Sequence, residues 1–161
     1  MDYEFFMSQA YGLALKAFEA GETPIGCVVV NGGAVTGCGY NQRNTKKNAL
    51  FHAELAAIYE ACEAAGDWRL EDAALFTTIE PCPMCAGAIV QARIKEVVFG
   101  AENKKAGCGG SVLNLFDVAG FNHRVNVVKG VMETECAALM SLFFARLREK
   151  QIKLDTEIYY R

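Results

Sequence analysis

The stretch TTIEPCPMCAGAIV, residues 77–90, ends an apolar run, turns at two prolines and then takes up helical spacing. With what flanks it, this stretch decides the fold. ALFTTI (74–79) has the β-branched and aromatic content of a strand, MCAGAIVQAR (84–93) reads as a helix, and KEVVFG (95–100) reads as a second strand. A strand, helix and strand in this order pair their strands in parallel. Upstream, IGCVVV (25–30) and AVTGCGY (34–40) flank Asn31-Gly32-Gly33, whose glycines tolerate the positive φ of a tight β-hairpin. The sheet must therefore be mixed.

The remaining elements follow from periodicity. Phe6, Met7, Ala10, Leu13, Ala14 and Ala17 recur at helical spacing from Tyr3, and Gly21 offers a stop. A polar stretch from Asn41 to Asn48 precedes a helix from about His52 to Ala65. VNVVKG (125–130) supplies a last strand, and Glu133 to Lys150 a last helix with the stripe Cys136, Leu139, Met140, Phe143 and Leu147. Residues 101–124 lack clean periodicity and read as a long loop with a short helix at Val112–Phe116. A loop of that length in a compact domain usually covers a site. The expectation is α/β: a three-layer α/β/α arrangement around a mixed five-stranded sheet, with residues 1–161 as a single domain.

Composition excludes several classes. With 52% apolar and 22% charged residues the chain is globular, neither disordered nor membrane-spanning. MDYEFFMSQA at the start carries acids where an export signal carries bases, which predicts a cytoplasmic location. Seven cysteines, an odd number, argue against a fully paired disulfide framework. The net charge of -3 does not advertise a nucleic-acid partner, but residues 93–153 hold ten Lys or Arg against six Asp or Glu. That excess is compatible with a mixed solvated surface or with an anionic partner.

Chemistry concentrates at two helix starts. Cys82 and Cys85, at i and i+3, share one side of a helix whose unpaired N–H groups and positive dipole end favour thiolate. Alone, such a pair is a redox couple, half a metal site or two buried small residues. The HAE stretch at residues 52–54 shifts the balance. In the first turn of their helix, His52 and Glu54 can both lean past its end, so His52 ligates while Glu54 stands beside an open coordination position. Three protein ligands leave zinc a fourth position for water, as in catalytic sites. Cys27, Cys38, Cys62 and Cys136 read as core packing, and Cys108, in a Gly-rich loop, is the cysteine best placed to close the site as a fourth ligand. His-x-Glu followed by Pro-Cys-x-x-Cys is the signature of zinc nucleobase deaminases.

The sequence resembles the bacterial tRNA-specific adenosine deaminases from the first helix to about Lys150. The resemblance rests on GETPIGCVVV (21–30), Asn41, HAEL (52–55), TTIEPCPMCAGAIVQARI (77–94), FGAENKKAG (99–107), NHRV (122–125) and ECAALMSLFFARLR (135–148). It implies one zinc-dependent deaminase domain of the cytidine deaminase-like fold, with one Zn2+ per chain on His52, Cys82 and Cys85. Glu54 would take the proton of the attacking water and return protons to the ring nitrogen and the departing ammonia. It further implies that Asn41 hydrogen-bonds an edge of the base, and that the backbone around Pro81 and Cys82 lies near the reacting amino group. The substrate would be a splayed, single-stranded nucleotide, the wobble adenosine of a tRNA anticodon stem-loop. Lys104, Lys105, Arg146, Arg148 and Lys150 would then hold phosphates, Phe144 would stack on a flanking base, and His123 would face the RNA or the loop. Members of this family form homodimers, and the apolar GAIVQARI helix offers an interface.

Plainer readings stand beside these. Asn41 is also an ordinary turn former, Phe143 is core, and His123 also reads as a surface histidine. Two departures from the family pattern are visible: NALF (48–51) replaces Asp-Pro-Thr-Ala, putting Phe51 where a small residue is common, and LFTTIEPC (75–82) lacks the usual tyrosine and valine. The alternative function is deamination of free guanine, cytosine or a nucleoside with the same zinc chemistry. A non-catalytic zinc-stabilised module and a redox protein are the rivals from other classes.

Overall fold

Asp2 opens the first helix by accepting the Phe5 N–H at 3.0 Å, and α1 runs Tyr3–Glu19. The computed structural model describes the backbone of residues 1–159, with side chains to residue 150. Within it follow β1 (Gly26–Asn31), β2 (Ala34–Tyr40), α2 (Ala53–Ala65), β3 (Ala74–Ile79), α3 (Pro83–Gln91), β4 (Glu96–Ala101), β5 (Asn126–Lys129) and α4 (Glu133–Tyr159). The strands form one sheet in the order β2-β1-β3-β4-β5. β1 pairs antiparallel with both β2 and β3, whereas β3–β4 and β4–β5 are parallel. The hairpin turn has φ of 58° at Gly32 and 81° at Gly33, the pair of positive values a type I′ turn demands.

Alternation along the strands builds two cores. Val28, Val30, Phe76 and Val98 cluster with Phe6, Met7 and Ala10 of α1 and Cys136 of α4. Cys27, Val29, Leu75 and Val97 point the other way, into a cluster with Ala53, Ala57 and Ala61 of α2 and Ala86, Ile89 and Val90 of α3. Because both faces are covered, β3 is buried at every position. The layers are α/β/α around a mixed five-stranded sheet.

α2 sits unusually low on its strand. A Cβ at Gly37 would strike Ala57 O and lie 2.6 Å from Ala61 N; one at Gly39 would strike Ala53 O and lie 2.8 Å from Ala56 Cβ. Only glycine permits that approach, and it fixes where the first turn of α2 stands. The same alternation turns Cys38, between the two glycines, toward the open side of this edge strand, so it is exposed and not core. Cys27, Cys108 and Cys136 are buried, and Cys62 is half-buried.

Two further differences from the sequence reading concern the ends of elements. No helix forms at 112–116: the N–H groups of Val112 and Leu113 both go to Gly107 O at 3.1 Å, and Gly109 bridges Asn114. This turn-like clasp leaves Phe116 fully buried. α4 continues past Lys150, but its buried stripe ends at Phe143, and Leu147 is 43% exposed.

Candidate active site

Two helix N-termini meet at one end of the sheet. His52 is the N-cap of α2, with φ -84° and ψ 153°, and Cys82 is the N-cap of α3, with φ -75° and ψ 172°. Neither side chain caps its own helix, so both are free to turn outward. Pro83 starts α3 without wasting a hydrogen-bond donor, and one turn later Cys85 returns to the same side as Cys82.

His52 Nδ1 lies 3.6 Å from Cys82 Sγ and 3.5 Å from Cys85 Sγ. The three donor atoms are all within 4.8 Å of one another, and among the described residues no other group of His, Cys, Asp or Glu converges this way. A tetrahedral zinc with Zn–S near 2.3 Å and Zn–N near 2.05 Å separates sulfur from nitrogen by about 3.6 Å. The donor set, a soft pair of sulfurs and one imidazole, suits the same ion. Cys108 is outside the group; its Sγ points to Ala106 O at 3.6 Å and its N–H binds Pro81 O at 2.9 Å. Among the described residues no fourth side-chain ligand closes the cluster.

Protonation is divided among these groups. A hydrogen bond from Cys85, then one from His52, holds the Cys82 thiol down at about 4, while the same bond to Cys82, with burial, pushes Cys85 far up. The chain alone thus prefers one thiolate and one thiol, and the bond to Cys82 raises His52.

Glu54, at the second position of α2, is 3% exposed, and its Oε2 is the one buried side-chain N or O atom among the described residues with no hydrogen-bond partner. Such an atom is costly to bury, and its presence beside the His–Cys–Cys cluster marks a place for a donor supplied from outside the chain. Burial pushes its pKa up to about 7, the range in which a carboxyl both accepts and returns protons near neutrality.

Asn41 follows β2 directly and is buried, with Nδ2 donating to Glu22 Oε2 at 3.3 Å. Glu22, itself 1% exposed, also accepts the Thr45 N–H at 2.5 Å. The amide of Asn41 is therefore held from behind. Pro81 is buried and tied through its carbonyl to the long loop. Lys104 and Lys105 are exposed on that loop. His123 is half-buried and pairs through Nε2 with Ile94 O at 2.8 Å, so one ring nitrogen ties the loop to the start of β4.

On α4, Arg146 stacks its guanidinium 4.6 Å from the Phe18 ring centroid, and the two line a 240 Å³ groove with Gly21, Phe143 and Lys150. Gly21 precedes Glu22, the residue that holds Asn41, and Glu19 also lines the groove. Phe144 is 45% exposed and packs edge-on against the buried Phe143 at 5.5 Å; Arg148 is exposed. Phe51 lines a 400 Å³ surface cavity with Leu50, Leu55 and Tyr59, none of which belongs to the His52–Cys82–Cys85 cluster.

Sequence reading missed Glu22 and Glu80. Glu80 is 1% exposed and accepts bonds from Asn103, Gly109 and Ser111. The signal was available: an acidic residue ending a strand that is otherwise apolar, directly before Pro-Cys.

Residues 1–148 match the family of MafB19-like deaminases, so a deaminase is the class that the fold and the cluster define. The chain is 49% identical over 148 residues to the tRNA-specific adenosine deaminase of Bacillus subtilis, covering 92% of each protein. It also superposes with TM-score 0.81 and 39% identity on a structure from work on A-to-I editing by tRNA:A34 deaminases at the wobble position, covering 84% of this chain and 98% of that one. A guanine deaminase from Nitrosomonas europaea shares the fold at TM-score 0.77 and 21% identity, over 88% of this chain and 84% of that one. At this level of identity to curated relatives, the chain belongs to the tRNA-specific adenosine deaminases.

Proposed function

We propose that this chain hydrolyses adenosine to inosine and ammonia in the anticodon loop of a tRNA, at the wobble position, using one zinc ion per chain held by His52, Cys82 and Cys85. The observation that carries the reading is the partnerless Glu54 Oε2 beside three donors already spaced for a tetrahedral ion.

Zinc, when bound, supplies a Lewis acid that makes water a nucleophile near neutral pH. The rest is the work of the chain. Glu54 accepts a proton from the water that attacks C6 and delivers protons to N1 and to the departing amino group, a shuttle suited to a carboxyl pushed up to about 7. Asn41, held by Glu22, fixes one edge of the base, and the backbone at Pro81–Cys82 borders the reacting amino group. A base in a stem cannot reach this site, so the substrate is a loop nucleotide turned out of its stack. Lys104, Lys105, Arg146 and Arg148 meet phosphates, Phe144 stacks on a neighbouring base, and His123 supports the loop edge that faces RNA.

A homodimer belongs to the same proposal, supported by the partly open α3 positions Met84, Gly87 and Ala88. So does a cytoplasmic location, supported by seven free cysteines. No helix among the described residues is long and apolar enough to cross a membrane.

The test is to incubate zinc-loaded protein with total tRNA and, separately, with free adenine, guanine, cytosine and their nucleosides. Inosine in tRNA without turnover of the free compounds is the expected result. Ammonia from free guanine or cytosine, with no inosine in tRNA, overturns it in favour of a small-molecule deaminase.

A further inference from the structure

We propose that Glu80 is a positioning residue that clasps residues 103–111 against the active site and so sets where Lys104 and Lys105 meet RNA. The link to RNA rests on the tRNA reading above; the clasp itself does not.

Glu80 is buried at the end of β3, and every bond its carboxylate accepts comes from one loop. Oε1 receives the N–H groups of Gly109 at 2.8 Å and Ser111 at 3.0 Å; Oε2 receives the Asn103 N–H at 3.0 Å and the Ser111 hydroxyl. The loop is shaped around the carboxylate, since a Cβ at Gly107 would collide with it. One residue along, Pro81 O accepts the Cys108 N–H at 2.9 Å. The segment that leads into Cys82 is thereby sewn to the loop at consecutive residues.

Asn103 is the hinge of this arrangement. While its N–H is spent on Glu80, its Oδ1 accepts the N–H groups of Lys105 at 3.3 Å and Ala106 at 3.1 Å, and its carbonyl accepts Gly107 N–H at 2.7 Å. The tight turn so formed carries Lys104 and Lys105, both exposed. Fixing Asn103 to Glu80 therefore fixes the backbone from which the two lysine side chains extend relative to the Cys82 end of the site.

Glutamine is the discriminating substitution. With its oxygen toward Gly109 and Ser111 N–H, its amide can still donate to the Ser111 hydroxyl. It must then set N–H against N–H at Asn103, so Glu80→Gln releases the lysine turn while sparing most of the cradle.

The experiment measures three properties of zinc-loaded Glu80→Gln and Ser111→Ala beside the parent. These are steady-state kinetics on tRNA, zinc per chain, and the rate at which trypsin cuts after Lys104 and Lys105, followed by mass spectrometry. For Glu80→Gln the expected result is a KM raised about ten-fold, the scale of one charged hydrogen bond. kcat changes less than KM, zinc stays near one per chain, and cleavage after the two lysines is faster. Ser111→Ala, which keeps all three N–H bonds, moves KM and cleavage in the same direction by less. A zinc-loaded Glu80→Gln with parental KM or parental cleavage overturns the proposal, as does a fall in kcat with KM unmoved. If Glu80→Gln loses zinc or does not fold, Ser111→Ala decides: faster cleavage with raised KM supports the clasp, and no change in either overturns it. If the parent makes no inosine, the tRNA reading and the link to KM both fall, and the trypsin rates still decide the clasp.

Discussion

The two halves of this site are built in opposite ways. The His52, Glu54, Cys82 and Cys85 corner hangs on the first turns of two regular helices pressed onto the sheet. The wall beside it, residues 102–124, has no helix or strand of its own beyond one isolated bridge, and owes its shape to a buried carboxylate and backbone bonds. The corner gets its precision from packing, so its failures should be chemical and steep. The wall gets its precision from a few polar bonds, so its failures should be graded and read in binding.

The sharpest break in that comparison is Glu54→Gln. The change keeps the shape and removes the carboxylate proposed to shuttle the protons, so inosine formation should fall by roughly 10²–10⁴-fold, while zinc stays near one per chain. A variant that retains deamination, or that loses its metal, would show that the carboxylate does something other than move protons. A purely structural zinc module would survive the change intact.

The same residue makes a pH prediction for the metal-free chain. Burial pushes Glu54 from the ordinary 4.5 up to about 7. Glu54 therefore holds a proton in the folded chain that it releases in the unfolded chain between those values, so its own contribution to stability falls as pH rises through that window and levels off above it, while the depressed Cys82 thiol contributes in the opposite sense. The displacement corresponds to about 3 kcal/mol. Glutamine does not titrate. Urea melts in chelator should show the advantage of Glu54→Gln over the parent growing by about that amount between pH 4 and pH 8; a constant gap would sink the assignment.

How much of this was legible in the sequence follows the same division. Mixed pairing, the four long helices, the three layers and the convergence of His52, Cys82 and Cys85 could be read because each rests on local signals: a Gly-Gly turn, periods of 2 and 3.6, and His-Ala-Glu and Pro-Cys-x-x-Cys at helix starts. The wall could not be read. Val112 to Phe116 is apolar enough for a helix turn, but the N–H groups of Val112 and Leu113 go to Gly107 O, that of Leu115 to Cys108 O and that of Phe116 to Asn114 Oδ1, and nothing in the local sequence announces those partners. Glu22 and Glu80 were missed for a related reason: their bonds go to Asn41, Thr45, Asn103, Gly109 and Ser111, which are chosen by the fold and not by spacing. Cys38 was misread because its two glycine neighbours, not its own character, decide which side of β2 faces α2.

Gly39→Ala probes the packed half more gently. The added methyl meets Ala53 O and Ala56 Cβ, so α2 must lift at its first turn, costing about 2 kcal/mol of unfolding free energy, read as a lower urea midpoint. Ala53 adjoins His52, so zinc affinity should weaken along with stability. Lost stability with unchanged zinc affinity would show that the ligand position is independent of the close approach of α2 to β2.

The smallest effects separate the two arginines of α4. Arg148 is an exposed charge with no ion-pair partner among the described residues, whereas Arg146 lies over Phe18 in the groove beside Gly21. If each meets one phosphate of a single-stranded loop, either alanine variant should weaken tRNA binding a few-fold and reduce the slope of log affinity against log salt by about 0.7. Only Arg146→Ala also removes a stacked side chain, worth about 0.5–1 kcal/mol at an exposed aromatic face, so its melting temperature should drop while that of Arg148→Ala holds. Equal salt slopes with unequal melts would identify a bare phosphate contact at Arg148 and a contact pre-positioned by Phe18 at Arg146. Unchanged salt slopes in both would remove Arg146 and Arg148 from the RNA path.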